Sequence, residues 1–305
     1  MANGESYTTE DIARLLKVSK LTVYDLIKKG ELKAYRVGRQ MRIDASELEN
    51  YKQRGQEVKI PTGTEGNKAS KAAAQSIVIS GQDHCLDILA RQLEMDYHQS
   101  CLRSYSGSLD SLIAMYEGKV DMVSTHLFDG DTGTYNIPYV RKLFVSKAFV
   151  IVHFIKRQAG LYVAEGNPKA IHGWQDLAKP HITIVNREDG AGARILLDEQ
   201  LRMHGIPKQD IKGYTNERTS HLAVASAVAN GQADAGVGIE NVAKVAAIDF
   251  IPMVEESYDL VMLRTKDNES FIQQLLETLR DSEFQAKLQA LGYGTTNIGE
   301  IAYEQ

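Results

Sequence analysis

Apolar positions along this chain keep two different rhythms, on either side of a stretch that keeps neither. Between Tyr7 and Arg54 they recur at helical spacing: Ile12, Leu15 and Leu16 first, then Val23, Leu26 and Ile27. That period turns one face of each helix toward a core. Thr8 or Thr9 stands where it can cap the first helix, which runs through Leu16, and Ser19 where it can cap the second. A side-chain oxygen at such a position accepts from an otherwise unpaired amide. Gly30, free to take a positive φ, ends the second helix. The runs LKAYRV and MRID then flank Gly38, Arg39 and Gln40, a pattern that predicts a β-hairpin. Asp44 to Glu47 reads as a capping box opening a last short helix to about Arg54. The sum is a helix-turn-helix followed by a wing, over residues 1–54.

Residues 55–76 are rich in Gly, Pro, Ser, Thr and Lys and hold almost no large apolar side chain, which predicts a linker. From Ile77 onward short β-like runs (SIVIS, VDMVST, FVIVHF, HITIVN, ADAGVG, DLVML) alternate with helix-length amphipathic segments. This is the pattern of an α/β domain over 77–305. Its βα order is that of a doubly wound lobe, and two lobes are expected: lobe 1 over about 77–155 and 258–305, lobe 2 over about 156–257.

With 305 residues, 43% of them hydrophobic, the chain can bury more than one core. No run approaches the ~18 consecutive apolar residues of a membrane span. The opening MANGESYTTED lacks the apolar stretch of a secretory signal. A cytoplasmic protein with no membrane partner is expected. Cys85 and Cys101 cannot make a disulfide framework and are expected as small packed apolar groups. His84 beside Cys85 and His98 near Cys101 lack the two-plus-two spacing of a structural zinc site, so neither a metal nor a resident cofactor is expected. The net charge of −5 conceals an asymmetry: residues 1–59 carry 12 Lys and Arg against 9 Asp and Glu, the remainder 23 against 31. A small basic head on an acidic body fits a DNA-binding module fused to a domain that does not bind DNA.

The segment YTTEDIARLLKVSKLTVYDLIKKGELKAYRVGRQMRIDASELENY resembles, over its whole length, the excisionase-type, MerR-related winged helix-turn-helix family. The resemblance implies DNA contacts from the second helix, through Ser19, Lys20, Thr22, Tyr24 and Lys28, and from the wing, through Arg36, Arg39 and Arg42. A helix fits the major groove and wing arginines take phosphates or a narrow minor groove. Leu21 and Asp25 stand where members of that family often carry polar or basic residues. One such module buries only ~600–1,000 Å², so a homodimer on a two-fold operator is expected.

In the body, several strand-to-helix junctions are rich in small hydroxyl and glycine residues: Ser80 and Gly81; Ser106, Gly107 and Ser108; Thr125 with His126. Amides exposed at helix starts favour anions, and the same residues also serve as ordinary caps. The turn from Asn186 to Arg194 offers Arg187, Asp189, Gly190, Ala191, Gly192 and Arg194, and two arginines on a glycine-rich turn can hold an anionic ligand. It lacks the G-x-G-x-x-G spacing and a phosphate-loop lysine. GSLDSLIAMYEGKVDMVSTHLFDGDTGTYNIPYV, VNREDGAGARILLDEQL, HLAVASAVANGQADAGVGIE and DFIPMVEESYDLVML carry a resemblance to type II periplasmic-binding-protein-like domains, among them molybdate- and tungstate-binding proteins. That resemblance implies a ligand held between two closing lobes. Tungstate-binding relatives have Ser-Arg-Gly-Asp-Asp-Ser-Gly-Thr at the turn; here Ala191 and Ala193 replace two hydroxyl donors, while Arg187, Asp189 and Gly192 are kept.

Asp131-Thr132-Gly133 matches the aspartic protease tripeptide, yet FDGDTGTYN is a polar turn, whereas that chemistry needs paired carboxylates in an apolar surround. No nucleophile with base and orienter is discernible, and no enzyme is expected. The expectation is a ligand-responsive DNA-binding transcriptional regulator. Molybdate or tungstate is the implied effector, with a molybdenum-cofactor-like pterin or an organic acid as the alternative. From a different class, an excisionase-like architectural DNA-binding protein remains open.

Overall fold

The computed structural model describes residues 6–16, 23, 26–27, 32–37, 40–45, 47–48 and 76–305. The chain divides into two compact units, Met1–Lys71 and Ala72–Gln305. In the first, strands β1 (Ser6–Thr8), β2 (Tyr35–Val37) and β3 (Gln40–Asp44) form an antiparallel sheet in the order β1-β3-β2. Strand β1 was not foreseen, being three residues long and polar. Helix α1 (Thr9–Leu16) starts on a reciprocal cap: Thr8 Oγ1 accepts from the Asp11 amide at 3.2 Å and the Asp11 carboxylate accepts from the Thr8 amide at 3.0 Å. Ile12, Val23, Leu32, Ile43 and Leu48 make the core. Leu15, expected to face inward with Ile12, is exposed. The face turned inward is instead Thr9, Ile12 and Ala13, the i, i+3, i+4 set that begins one turn earlier.

The second unit is built on one sheet in the order β11-β10-β12-β9-β13-β6-β4-β5. Its strands are β4 (Ile77–Ser80), β5 (Cys101–Ser104), β6 (Met122–Thr125), β9 (Phe149–Val163), β10 (Ile184–Arg187), β11 (Glu217–Arg218), β12 (Ala235–Ile239) and β13 (Asp249–Leu263). A small hairpin, β7 (Phe128–Asp129) with β8 (Thr134–Tyr135), stands apart, and β14 (Ile301–Glu304) pairs with β9. The expected runs are strands, but FVIVHF and DLVML prove to be only parts of β9 and β13, each 15 residues long. These two run antiparallel over almost their whole length, with irregularities at Pro252/Val254 and Tyr258/Asp259.

They are shared by two lobes. In lobe 1, β4, β5 and β6 are parallel neighbours, crossed by α2 (Cys85–Tyr97) and α3 (Ser108–Tyr116). Helices α4 (Ile137–Leu143), α8 (Glu269–Arg280) and α9 (Ser282–Ala290) complete it. In lobe 2, β10, β11 and β12 are parallel and carry α5 (Gly192–Met203), α6 (His221–Ala229) and α7 (Glu240–Ala246). Each lobe has a core on both faces of its sheet, so β6 and β12 are buried along their entire length, as strands covered on both sides must be. The buried Cys85 packs in the lobe 1 core. Among the described residues no helix is long and apolar enough to cross a membrane.

One tyrosine fixes how lobe 2 closes. The Tyr162 hydroxyl on β9 accepts from the Ile239 amide at 2.8 Å and donates to the Ile239 carbonyl at 3.0 Å, so the end of β12 is held where α7 begins. Gly238 makes room for that ring, since a Cβ there would overlap it. Tyr162→Phe leaves the buried peptide groups of Ile239 without these partners and should cost about 1–3 kcal/mol. A lowered urea midpoint would register the loss, and an unchanged midpoint would mean that this bond does not hold the lobe.

Candidate ligand-binding site

A cleft of about 830 Å³ lies between the two lobes of the second unit. Its floor is a buried guanidinium. Arg157, on β9, donates from Nε to the Glu256 carboxylate of β13 at 2.6 Å and from Nη1 to Asp83, in the loop after β4. It also lies over the Tyr258 ring, 4.3 Å from its centre. Asp83 accepts in addition from the Tyr293 hydroxyl at 2.6 Å and the Cys85 amide at 2.9 Å. Burial would push the Asp83 carboxyl up, but the Arg157 charge and these donors hold it below the usual value. Glu256 goes the other way: burial raises it, and the attraction of Arg157 does not fully offset that.

The walls are helix starts. Helix α3 has Gly107 at its N-cap and α5 has Ala191, and neither receives a side-chain cap. Their first turns line the cleft; Asp110 places a carboxylate in the first turn of α3, whereas α5 has none. One first-turn amide is already used, that of Leu109 donating to the Gly190 carbonyl at 3.1 Å across the lobes. The two starts come close because Gly107 and Gly192 have no side chains: a Cβ on Gly107 would crowd the backbone of Gly190 and Ala191, and one on Gly192 would overlap the His126 ring. Helix α6 starts at Ser220, whose Oγ accepts from the Ala223 amide at 3.1 Å.

Arg187 is 3% exposed at its side chain. Its Nε and Nη2 bond to the Glu188 carboxylate at 2.7 Å each, and Nη2 also reaches the side-chain Oε1 of Gln82 at 2.7 Å in the opposite lobe. Nη1 makes no hydrogen bond among the described residues. His126 shares a hydrogen bond with Ser108 at 3.2 Å, while the buried Nδ1 of His221 has no partner among the described residues. Burial, helped by the positive charges of Arg157 and Arg187, pushes both imidazoles well below the ordinary 6.5.

Of the expected ligand residues, Gly81, Ser106, Gly107, Ser108, His126, Arg187, Ala191 and Gly192 line the cleft. Ser80 lies beneath it, bonded to Ser111 at 2.8 Å, and Thr125 is buried at the end of β6. Gly190, at φ +80°, shapes the turn. Asp189 is exposed, 3.5 Å from Arg194. Arg194 faces away: it bonds to the Arg187 carbonyl at 2.9 Å and Glu217 at 3.2 Å and stacks on Tyr214. Lining residues not foreseen include Asp83, Arg157, Tyr258, His221 and Tyr293. In the first unit Arg42 approaches the Ser6 carbonyl at 3.4 Å. Ser19, Lys20, Thr22, Tyr24, Lys28, Arg39 and the side chain of Arg36 lie outside the described residues. Among the described residues no group of three or more His, Cys, Asp or Glu could hold a metal ion.

Two α/β lobes joined by paired crossing strands, with helix starts around the cleft, define a binding-protein fold. Residues 90–280 match the PBP superfamily domain, and the chain belongs to that family; residues 6–56 match a helix-turn-helix domain. The chain is 47% identical, over 309 aligned residues spanning all of both sequences, to the uncharacterized protein YvgK of Bacillus subtilis (strain 168). Solved structures share the fold at low identity. A substrate-binding protein from Clostridium perfringens with bound phosphate aligns at TM-score 0.53 and 15% identity, over 72% of this chain and 98% of its own. The sulfate-binding protein SubI from Mycobacterium tuberculosis H37Rv aligns at 0.51 and 13%, over 72% and 86%.

The neutral imidazoles set a pH dependence. The unfolded chain takes up their protons near 6.5 and the folded chain resists, so the stability they contribute is complete above about 6.5 and is lost as pH falls below it. His153, raised by its hydrogen bond to Asp259, acts in the opposite sense and is common to any pair of variants compared. Between pH 7.5 and pH 5 the urea midpoint of the wild type should therefore fall further than that of the His126→Asn, His221→Asn double variant. Parallel profiles would mean that the two rings titrate freely.

Proposed function

We propose that this chain is a ligand-responsive DNA-binding regulator. Its helix-turn-helix domain binds duplex DNA as a homodimer in the cytoplasm, and its two-lobed domain closes on a small anion. The observation that carries the reading is the union, in one chain, of a helix-turn-helix domain with a binding-protein domain whose cleft is lined by two uncapped helix starts and by Arg187, whose Nη1 makes no hydrogen bond among the described residues. Helix starts and a guanidinium favour negative charge together. A purely architectural DNA binder has no use for such a cleft.

Molybdate and tungstate are the effectors that the sequence resemblance implies, with a pterin-type cofactor or an organic acid as the second reading. Tetrahedral oxyanions also occur among proteins of this fold, phosphate and sulfate by the names above. Closure couples to DNA through the dimer, for which a coupling of ~1–3 kcal/mol changes operator affinity roughly 5–150-fold.

Two measurements test this. Molybdate, tungstate, phosphate and sulfate, titrated into the full chain, should raise its thermal stability, by about 2.7 kcal/mol at a hundred times Kd, and Arg187→Gln should remove the effect. No stabilisation by any anion would overturn the anion reading. For the head, Arg39→Ala should weaken binding to every duplex and lower the slope of log K against log salt by about one; an unchanged slope would mean that the wing does not touch phosphate.

A further inference from the structure

We infer that the solute of this cleft is an organic anion with an apolar or aromatic body, and that a bare inorganic oxyanion fills only its charged end. The inference rests on the anion reading above and adds the rest of the ligand. Size comes first. The cleft holds about 830 Å³, whereas four oxygens of an oxyanion, each about the ~30 Å³ of a water, account for a small fraction of it. A space of this size matches pockets that bury a whole small organic molecule.

The charged donors are few: the hydroxyls of Ser106, Ser108, Thr219 and Ser220 also line the cleft but carry no positive charge. A buried anion needs each oxygen hydrogen-bonded. At the α5 start Ala191 and Ala193 offer no hydroxyl, and one amide of the α3 start is spent on the Gly190 carbonyl. Of the two guanidinium groups in the cleft, Arg157 is consumed by Asp83 and Glu256, and Arg187 keeps only Nη1. This set suits one face of a carboxylate or phosphoryl group whose remaining bond leads elsewhere.

The remaining wall says where it leads. Leu222 on α6 and Val242 and Val245 on α7 face the cleft from lobe 2, with Tyr105 and Tyr293 from lobe 1. Leu222 is 51% exposed, Tyr105 64% and Val245 76%. Large apolar groups left to water around a concave site gain from a solute that covers them, and an oxyanion cannot. Tyrosine rings beside aliphatic side chains fit a flat or hydrocarbon body.

The test is calorimetric titration of the full chain with matched pairs of probes: inorganic phosphate against 1-naphthyl phosphate, and acetate against 1-naphthoate, with molybdate and tungstate alongside. At least one aromatic anion should bind ten times or more tighter than its small counterpart, molybdate and tungstate. Val245→Asp, at an exposed position of the apolar wall, should abolish that advantage. Val245→Ala should reduce it in part. If the small anions bind as tightly as the aromatic ones, or Val245→Asp changes nothing, the inference is overturned and the anion reading stands. If none of the six probes binds, both fall.

Discussion

A guanidinium buried at the meeting point of two lobes must be matched by carboxylates brought from elsewhere in the chain, and most of the cleft follows from how Arg157 is matched. Removing an ion from water is costly unless partners with good geometry replace the lost hydration. Here Glu256 comes from the antiparallel neighbour directly in register, and Asp83 from the loop that opens α2. Asp83 is in turn held by Tyr293, beyond α9. The chain segments after β4, in mid-β9, in mid-β13 and after α9 are thereby fixed to one point. Arg157 is thus matched by two carboxylates, and Arg187 by Glu188.

The starts of α3 and α5 use glycine and alanine where most helices carry an oxygen. An N-cap serine or aspartate satisfies its own helix, as Ser220 does for α6; Gly107 and Ala191 leave that work undone. The lack of a Cβ at Gly107 and Gly192 also lets the two starts approach, so Gly107 both leaves amides uncapped and brings two sets of them together. His126 and His221, kept neutral beside two arginines, add ring nitrogens without adding charge.

Local signals were readable and long-range ones were not. Apolar runs marked β4, β6, β9, β10, β12 and β13, because strands covered on both faces must be apolar throughout. The polar CLRS of β5, on the sheet edge, gave no such run. Gly81, Gly107, Ser108 and Gly192 stood out because a small residue between a strand and a helix is a pattern a few residues wide. Arg157, Glu256 and Tyr293 come together only through strand register and the return of the last helices, which no window along the chain contains. Arg194 illustrates the converse: it shares a turn with Arg187, but a half-turn of helix sends its side chain to Tyr214 and Glu217 instead of the cleft.

The paired crossing strands are regular except at Pro252/Val254 and Tyr258/Asp259, and the Arg157–Glu256 pair sits between those two breaks. Pro252 has no amide to contribute to the ladder, so the ribbon yields most readily there. Any change in the angle between the lobes would concentrate at this short interval, as at a fulcrum, where displacement is least. Groups that tolerate little separation are thus stationed where the lever arm of any such change would vanish.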